Sequence, residues 1–262
     1  MNTIPKKSFA QKWHIKALVW TAIVLALFIA SCAMTGVDVG AFLTGFNQFM
    51  QIFYEMLKPD WSYVPFTIKP IIQTIQMALI GTLVGSIIAV PFAVLAARNI
   101  VTNTVIRGTI RFILNLVRTL PDLMLAAVFV AVVGIGPMAG VLTLAIFSFG
   151  MISKLFYEAI ETIDMGPIEA LTAAGATKTQ VVWFAVLPQV YNHFLSYFLY
   201  TFEINVRAST ILGYLGAGGI GELLQRSLGQ FRYDRTAIVV IGTFIVVVVV
   251  DTLSNQLRER LQ

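Results

Sequence analysis

Residues 169–188 read EALTAAGATKTQVVWFAVLP, a polar, small-residue island between two long apolar blocks. Pro167 stands just ahead of it, and proline suits the first turn of a helix, so a short helix is predicted over 167–174. Gly175 ends or bends that helix, a second begins near Thr177, and Pro188 marks the bend into the next apolar block. Ala170, Ala173, Ala174 and Gly175 keep the first helix slim, and Glu169 is free to cap or ion-pair. The island therefore reads as a place where the chain meets a partner.

Outward from this island the chain is dominated by apolar runs. It has 262 residues, 58% of them hydrophobic, and a mean hydropathy of +0.83. A water-soluble fold cannot hide that much apolar surface, whereas a lipid bilayer solvates it. The expected class is all-α, a polytopic membrane helix bundle of about six transmembrane helices. The expected crossings are residues 17–34, 70–97, 112–133 with an interruption at Leu120-Pro121-Asp122, 138–157, 181–204 and 237–250.

Two parts are expected. Residues 1–69 hold an N-terminal span and an amphipathic helix at the outer interface, with Phe42, Phe46, Phe49, Phe53 and Leu57 at helical spacing and Trp61 and Tyr63 as belt residues. Residues 70–262 form the core, with an inner loop at about 158–180. Ile29-Ala30-Ser31-Cys32 resembles a cleavage box, but the run around it is long enough to span and the first helix is read as uncleaved. Lys6, Lys7, Lys12 and Lys16 ahead of the first span, and Arg98, Arg107, Arg111 and Arg118 after the second, place both termini in the cytoplasm. Arg207, Arg226, Arg232 and Arg235 oppose this topology, since they fall in a loop it puts outside.

Several chemistries are excluded. The net charge of +5 is spread in short clusters beside apolar runs, with no basic helix face for nucleic acid. His14 and His193 stand alone, so neither a His-rich metal site nor a triad with a His base can be built. No lysine follows a glycine, so there is no phosphate-cradling G-x-x-x-x-G-K-[ST] and no cofactor is expected in this chain. Residues 216–221, GAGGIG, match a dinucleotide fingerprint by letter only, because no βαβ unit precedes them and Ile241 stands where an acid is needed. Those glycines read as a helix break that either packs tightly or lines a path.

Gly81 and Gly85 form a G-x-x-x-G step for close helix packing, while Gln73 and Gln76 either line a path or are simply solvated. Glu203 and Arg207 share a helix face four residues apart, as a structural ion pair or a substrate contact. Arg207 is the first candidate to meet an anion, since guanidinium grips tetrahedral oxyanions with two prongs, and Arg118 is the next.

Glu169-Ala170, Gly175 and Leu187-Pro188 resemble in spacing the EAA motif of the membrane subunits of ATP-binding-cassette importers. Leu171 replaces the second alanine of that motif and Ala185 its usual isoleucine. Residues 118–123, 133–137, 150–161, the 169–188 block with Leu187-Pro188-Gln189, and 202–210 with the glycine run that follows resemble the permeases of phosphonate importers. The resemblance implies a type I importer permease fold in a bacterial inner membrane. It implies coupling through Glu169, Ala170, Ala174, Gly175, Leu187 and Pro188. A substrate path would involve Glu203, Asn205, Arg207, Ser209, Thr210, Gly216, Gly218 and Gly219. Implied partners are a second copy of the chain, two copies of an ATPase that binds ATP and Mg, and an external binding protein. The alternatives are a permease for another small solute, a membrane-embedded enzyme, or a passive channel.

Overall fold

The structure is a computed structural model that describes residues 15–36 and 39–260, and every regular element among them is helical. Two units are distinguished, residues 1–54 and 55–262. In the first, helix α1 (Ile15–Thr35) is apolar on all sides and buries no residue, as expected of a helix whose surroundings are lipid. Helix α2 (Val39–Met56) carries Phe46, Phe49 and Phe53 as a ladder of stacked rings with centroids 6.2 and 6.4 Å apart. Lys6, Lys7, Lys12 and His14 lie outside the described residues.

The second unit starts with a 3-10 turn, Trp61–Tyr63, in which Asp60 accepts from Ser62 N–H. Helix α3 (Val64–Ala96) follows. It begins six residues before the expected start, because Pro65 fills the first turn and Pro70, although it forfeits one backbone bond, does not end the helix. The expected third span is two helices, α4 (Thr104–Thr119) and α5 (Asp122–Val133), meeting at 86°. Leu120 and Pro121 are extended there, and Arg107, Arg111 and Arg118 lie on α4, the amphipathic first half of this bent pair.

Helix α6 (Pro137–Ile160) matches its expected crossing with three more residues at its C-terminal end. Helices α7 (Gly166–Ala173) and α8 (Lys178–Val181) flank Gly175, and a π turn, Val182–Val186, leads into α9 (Leu187–Tyr214). Helix α9 runs ten residues past the expected end, so residues 209–214 are helical and the glycine break shrinks to 215–219. The expected arginine-containing linker is largely helix α10 (Ile220–Gly229), and α11 (Tyr233–Glu259) extends well beyond its apolar centre at both ends.

Three helices make the core. Gly81 and Gly85 of α3 face Leu144 and Ser148 of α6, and Asn99 reaches the Ile160 carbonyl, so α3 and α6 run in the same direction. A Cβ on Gly85 would lie 2.5 Å from the Ala145 carbonyl oxygen, which shows that the G-x-x-x-G step is a backbone-to-backbone crossing. Helix α9 runs the other way: Asn205 meets Thr82 and Ser148, and Phe194 meets Phe156 with centroids 5.1 Å apart. Toward the end that carries residues 160–186, Ala93, Leu114, Phe156, Ile160, Val186 and Val190 form one apolar cluster, and Met77, Leu144, Val206 and Leu212 form another nearer the middle.

Helix α1, the run from Trp61 through α3, α6 and α11 are long and apolar enough to cross a bilayer, with a fifth such segment if α4 and α5 count together. Helix α9 has the length, at 28 residues, but Gln189, Asn192, His193, Glu203, Asn205 and Arg207 lower its hydropathy. Glu203 and Asn205 among these are buried against α3, α6 and α11, where Glu203 accepts from Arg258 and the Asn205 amide nitrogen donates to Thr82 and Ser148, while its carbonyl oxygen has no partner among the described residues.

Candidate functional site

The polar island folds as a helix-turn-helix whose outer surface is bare. Helix α7 buries only Ile168, with Leu171 beside it on the apolar cluster around Phe156 and Ile160. Glu169, Ala170, Ala174 and Gly175 are all exposed. Asp164 Oδ1 accepts from Gly166 N–H at 3.0 Å, and Pro167 occupies the first turn. The helix ends in a Schellman motif: Gly175 N–H donates to the Thr172 carbonyl and Ala176 N–H to the Leu171 carbonyl, both at 3.0 Å. Gly175 has φ +83°, a left-handed conformation that a side chain resists. Thr177 and Gln180 then close a reciprocal capping box that starts α8.

Leu187 and Pro188 sit where the π turn becomes α9. Leu187 N–H reaches back five residues to the Val182 carbonyl, and this wider turn precedes Pro188, which has no N–H to give. Gln189 is the residue that joins this junction to the loop. Its Oε1 accepts from Asp164 N–H at 3.1 Å, and its Nε2 donates to the carbonyls of Ala185 at 2.7 Å and Asp164 at 3.3 Å. The start of α7 is thereby tied to the base of α9. Gln189 closes the Leu187-Pro188-Gln189 stretch, but no local pattern signals this partner, since Gln189 lies 25 residues from Asp164.

The end of the bundle next to this loop is braced by Glu161. It accepts from Arg98 N–H at 2.8 Å and pairs with Arg111, whose guanidinium also lies 4.7 Å from the Tyr157 ring centroid. The arginines that orient this loop in the sequence are thus also its mechanical anchors.

Of the eight residues expected along a path, Arg207 alone is exposed. Glu203 is buried and pairs with Arg207 as expected, and also with Arg258 of α11 at 3.0 Å. Arg258 is not among the residues the sequence singles out. Asn205 is wholly buried and donates to Thr82 Oγ1 and Ser148 Oγ, both at 2.7 Å, so it joins α9 to α3 and α6. Ser209 and Thr210 bond back to the Val206 carbonyl. Gly216, Gly218 and Gly219 are buried with positive φ, and Gly136 N–H donates to the Gly216 carbonyl at 2.8 Å, so the two glycine turns lie against each other. Thr74 Oγ1 and Gln73 Oε1 of α3 accept from Ile220 and Gly219 N–H and so cap α10. Arg118 packs its stem on Gly150.

The arginines that oppose the outer placement of residues 207–235 are each paired with a carboxylate: Arg207 with Glu203, Arg226 with Glu222, Arg232 with Asp234 and Arg235 with Asp60. No group of three or more metal-binding side chains is present among the described residues.

Residues 89–262 match the model of the binding-protein-dependent transport system inner membrane component family. The chain is 38% identical over 254 residues to the phosphite transport system permease protein PtxC of Stutzerimonas stutzeri, covering 97% of this chain and 92% of that one. It is 33% identical over 258 residues to the phosphate-import permease protein PhnE of Mycolicibacterium smegmatis, covering 98% of this chain and 48% of the relative. In fold it is similar to a solved chain of the MetNI methionine ABC transporter in an inward-facing conformation, with TM-score 0.69, 24% identity and coverage of 78% and 99%. The bundle has the type I importer permease fold, and the chain belongs to the binding-protein-dependent transport system inner membrane component family, as a non-catalytic permease subunit of an ABC importer.

Proposed function

We propose that this permease carries a small phosphorus oxyanion, a phosphonate, phosphite or phosphate, across a bacterial inner membrane as a homodimer. Two copies of an ATPase hold ATP and Mg, and an external binding protein delivers the substrate. Helix α9 is read as the remaining crossing, giving six with both termini cytoplasmic. The observation that carries the coupling reading is the exposed face of α7, with Glu169, Ala170, Ala174 and Gly175 outward and the helix fixed to the base of α9 by Gln189. A surface so bared and so braced passes a push from a soluble motor to the membrane helices. The names of the relatives support the substrate class.

Arg207 is the accessible cation of the expected path, and Glu203 holds it in place. The test is reconstitution of the permease with its ATPase and binding protein in proteoliposomes. Uptake of a phosphorus oxyanion that requires ATP and the binding protein is expected. Conductance through the permease alone would overturn the reading.

A further inference from the structure

Beside the 178–187 segment the second unit carries a groove of about 470 Å³ that shares only Leu187 with the coupling residues. Its walls are Val90, Pro91, Val94 and Leu95 of α3 on one side and Val182, Trp183 and Leu187 on the other, with Ile100 and Val101 closing one part and Lys178 at the rim. The lining is overwhelmingly apolar, and the volume lies in the range of ligand-binding clefts. Trp183 is 63% exposed, and an exposed indole beside a lysine is the pairing found at membrane interfaces.

The charges around the groove separate into two groups. Arg98 and Arg111 are committed to Glu161. Lys178 makes no ion pair or side-chain hydrogen bond among the described residues. Arg107 spends one N–H on the carbonyl of Val101, itself a lining residue, and has no carboxylate partner among the described residues. An apolar trough in a membrane protein with two uncompensated cations beside it matches a molecule that is a hydrocarbon chain at one end and an anion at the other.

We propose that an anionic phospholipid occupies this groove, with an acyl chain between α3 and the 182–187 segment and its phosphate at Lys178 and Arg107. Because one wall belongs to α3 and the other to the segment that leads from α7 into α9, the bound lipid braces the junction through which α7 moves α9. Each basic side chain at such a surface favours the anionic lipid about fivefold over a zwitterionic one.

Trp183 is the reporter for the test. With Trp13, Trp20 and Trp61 replaced by phenylalanine, the full chain is reconstituted in vesicles that contain phosphatidylglycerol or phosphatidylcholine brominated at mid-chain. The expected result is several-fold stronger quenching of Trp183 by the brominated phosphatidylglycerol. Lys178→Glu together with Arg107→Gln removes the preference, and Val94→Phe, which fills the groove, reduces quenching by either lipid. Equal quenching by the two lipids, or a preference that survives the charge substitutions, overturns the proposal. Quenching unchanged in Val94→Phe means ordinary surrounding lipid and overturns it too. Absence of quenching by either lipid means that protein covers the groove, which likewise overturns it. Should the tryptophan replacements fail to fold, mass spectrometry of lipids retained by the otherwise unaltered protein gives the same comparison: phosphatidylglycerol enriched, and the enrichment lost in the charge variant. Retention that ignores those charges counts against the site.

Discussion

The carboxylate of Glu203 receives the guanidinium of Arg258, 55 residues later in the chain, at 3.0 Å. The Glu203 side chain is 6% exposed, Arg258 25% and Arg207 53%. Removing the more buried partner leaves Glu203 with a single, largely exposed cation, whereas an exposed partner is replaced by water. Arg258→Ala is expected to destabilise the protein by about 2 kcal/mol, and Arg207→Ala by about 1 kcal/mol or less. Unfolding midpoints of the detergent-solubilised variants check this, and equal losses would contradict the assigned geometry. If Arg207→Ala keeps its stability but loses oxyanion uptake, the arginine acts on the path; normal uptake and normal stability together remove it from both roles.

Two glycine substitutions of opposite sign contrast the crossing of α3 and α6 with an open face of α4. A Cβ at Gly85 meets the Ala145 carbonyl oxygen at 2.5 Å, Ser148 Cβ at 2.6 Å and Phe149 N at 2.8 Å, two of them backbone atoms that cannot rotate away. Gly85→Ala should lower stability by about 2 kcal/mol. Gly108 on α4 has nothing within 4 Å of such a Cβ, so Gly108→Ala should raise stability by about 0.5 kcal/mol through helix propensity alone.

Gly175 separates backbone strain from surface bulk. Its added Cβ meets open space, so any folding effect comes from the positive φ. Gly175→Asn should be close to neutral, because asparagine tolerates that conformation, and Gly175→Ala should lose about 1 kcal/mol. Gly175→Arg is expected to insert normally while abolishing uptake and uncoupling ATP hydrolysis, since its side chain projects from the face proposed to dock. Transport at the normal rate by that variant would refute the coupling reading.

Gln189→Leu removes three hydrogen bonds, those with Asp164 N–H and with the carbonyls of Asp164 and Ala185, while preserving bulk. The predicted outcome is faster hydrogen exchange at Asp164, a stability loss of about 2 kcal/mol, and a lower ratio of uptake to ATP hydrolysis. Unchanged exchange at Asp164 would show that the loop is held by other means.

The apolar runs reveal most spans because a bilayer demands length and continuity, and both are local properties of the sequence. The turn around Gly175 is equally legible, since proline, glycine and a Thr-x-x-Gln box each act within a few residues. What escapes is long-range or disguised by composition. The glycines of 216–221 hide helix α10, whose first amides are capped by Thr74, 146 residues away. Arg258 looks like a flanking charge because nothing near it announces Glu203. The polarity of α9 obscures its length, and only the partners Thr82 and Ser148 account for Asn205 inside the bundle. The arginines of residues 226–235 look like a topology signal, whereas their carboxylate partners are visible only in three dimensions.

The π turn at Val182–Val186 amounts to one spare link ahead of Pro188. A deletion farther along α9 would rotate everything beyond it by about 100° and carry Asn205 away from Thr82 and Ser148. A deletion within the turn would take up the slack and leave the later faces in phase. It would also bring the Pro188 ring against the carbonyl of the preceding turn, so the shortened chain is tolerated only when Pro188 is replaced as well. The bulge and the proline are a matched pair, and changing either alone alters the angle at which the helix leaves the loop.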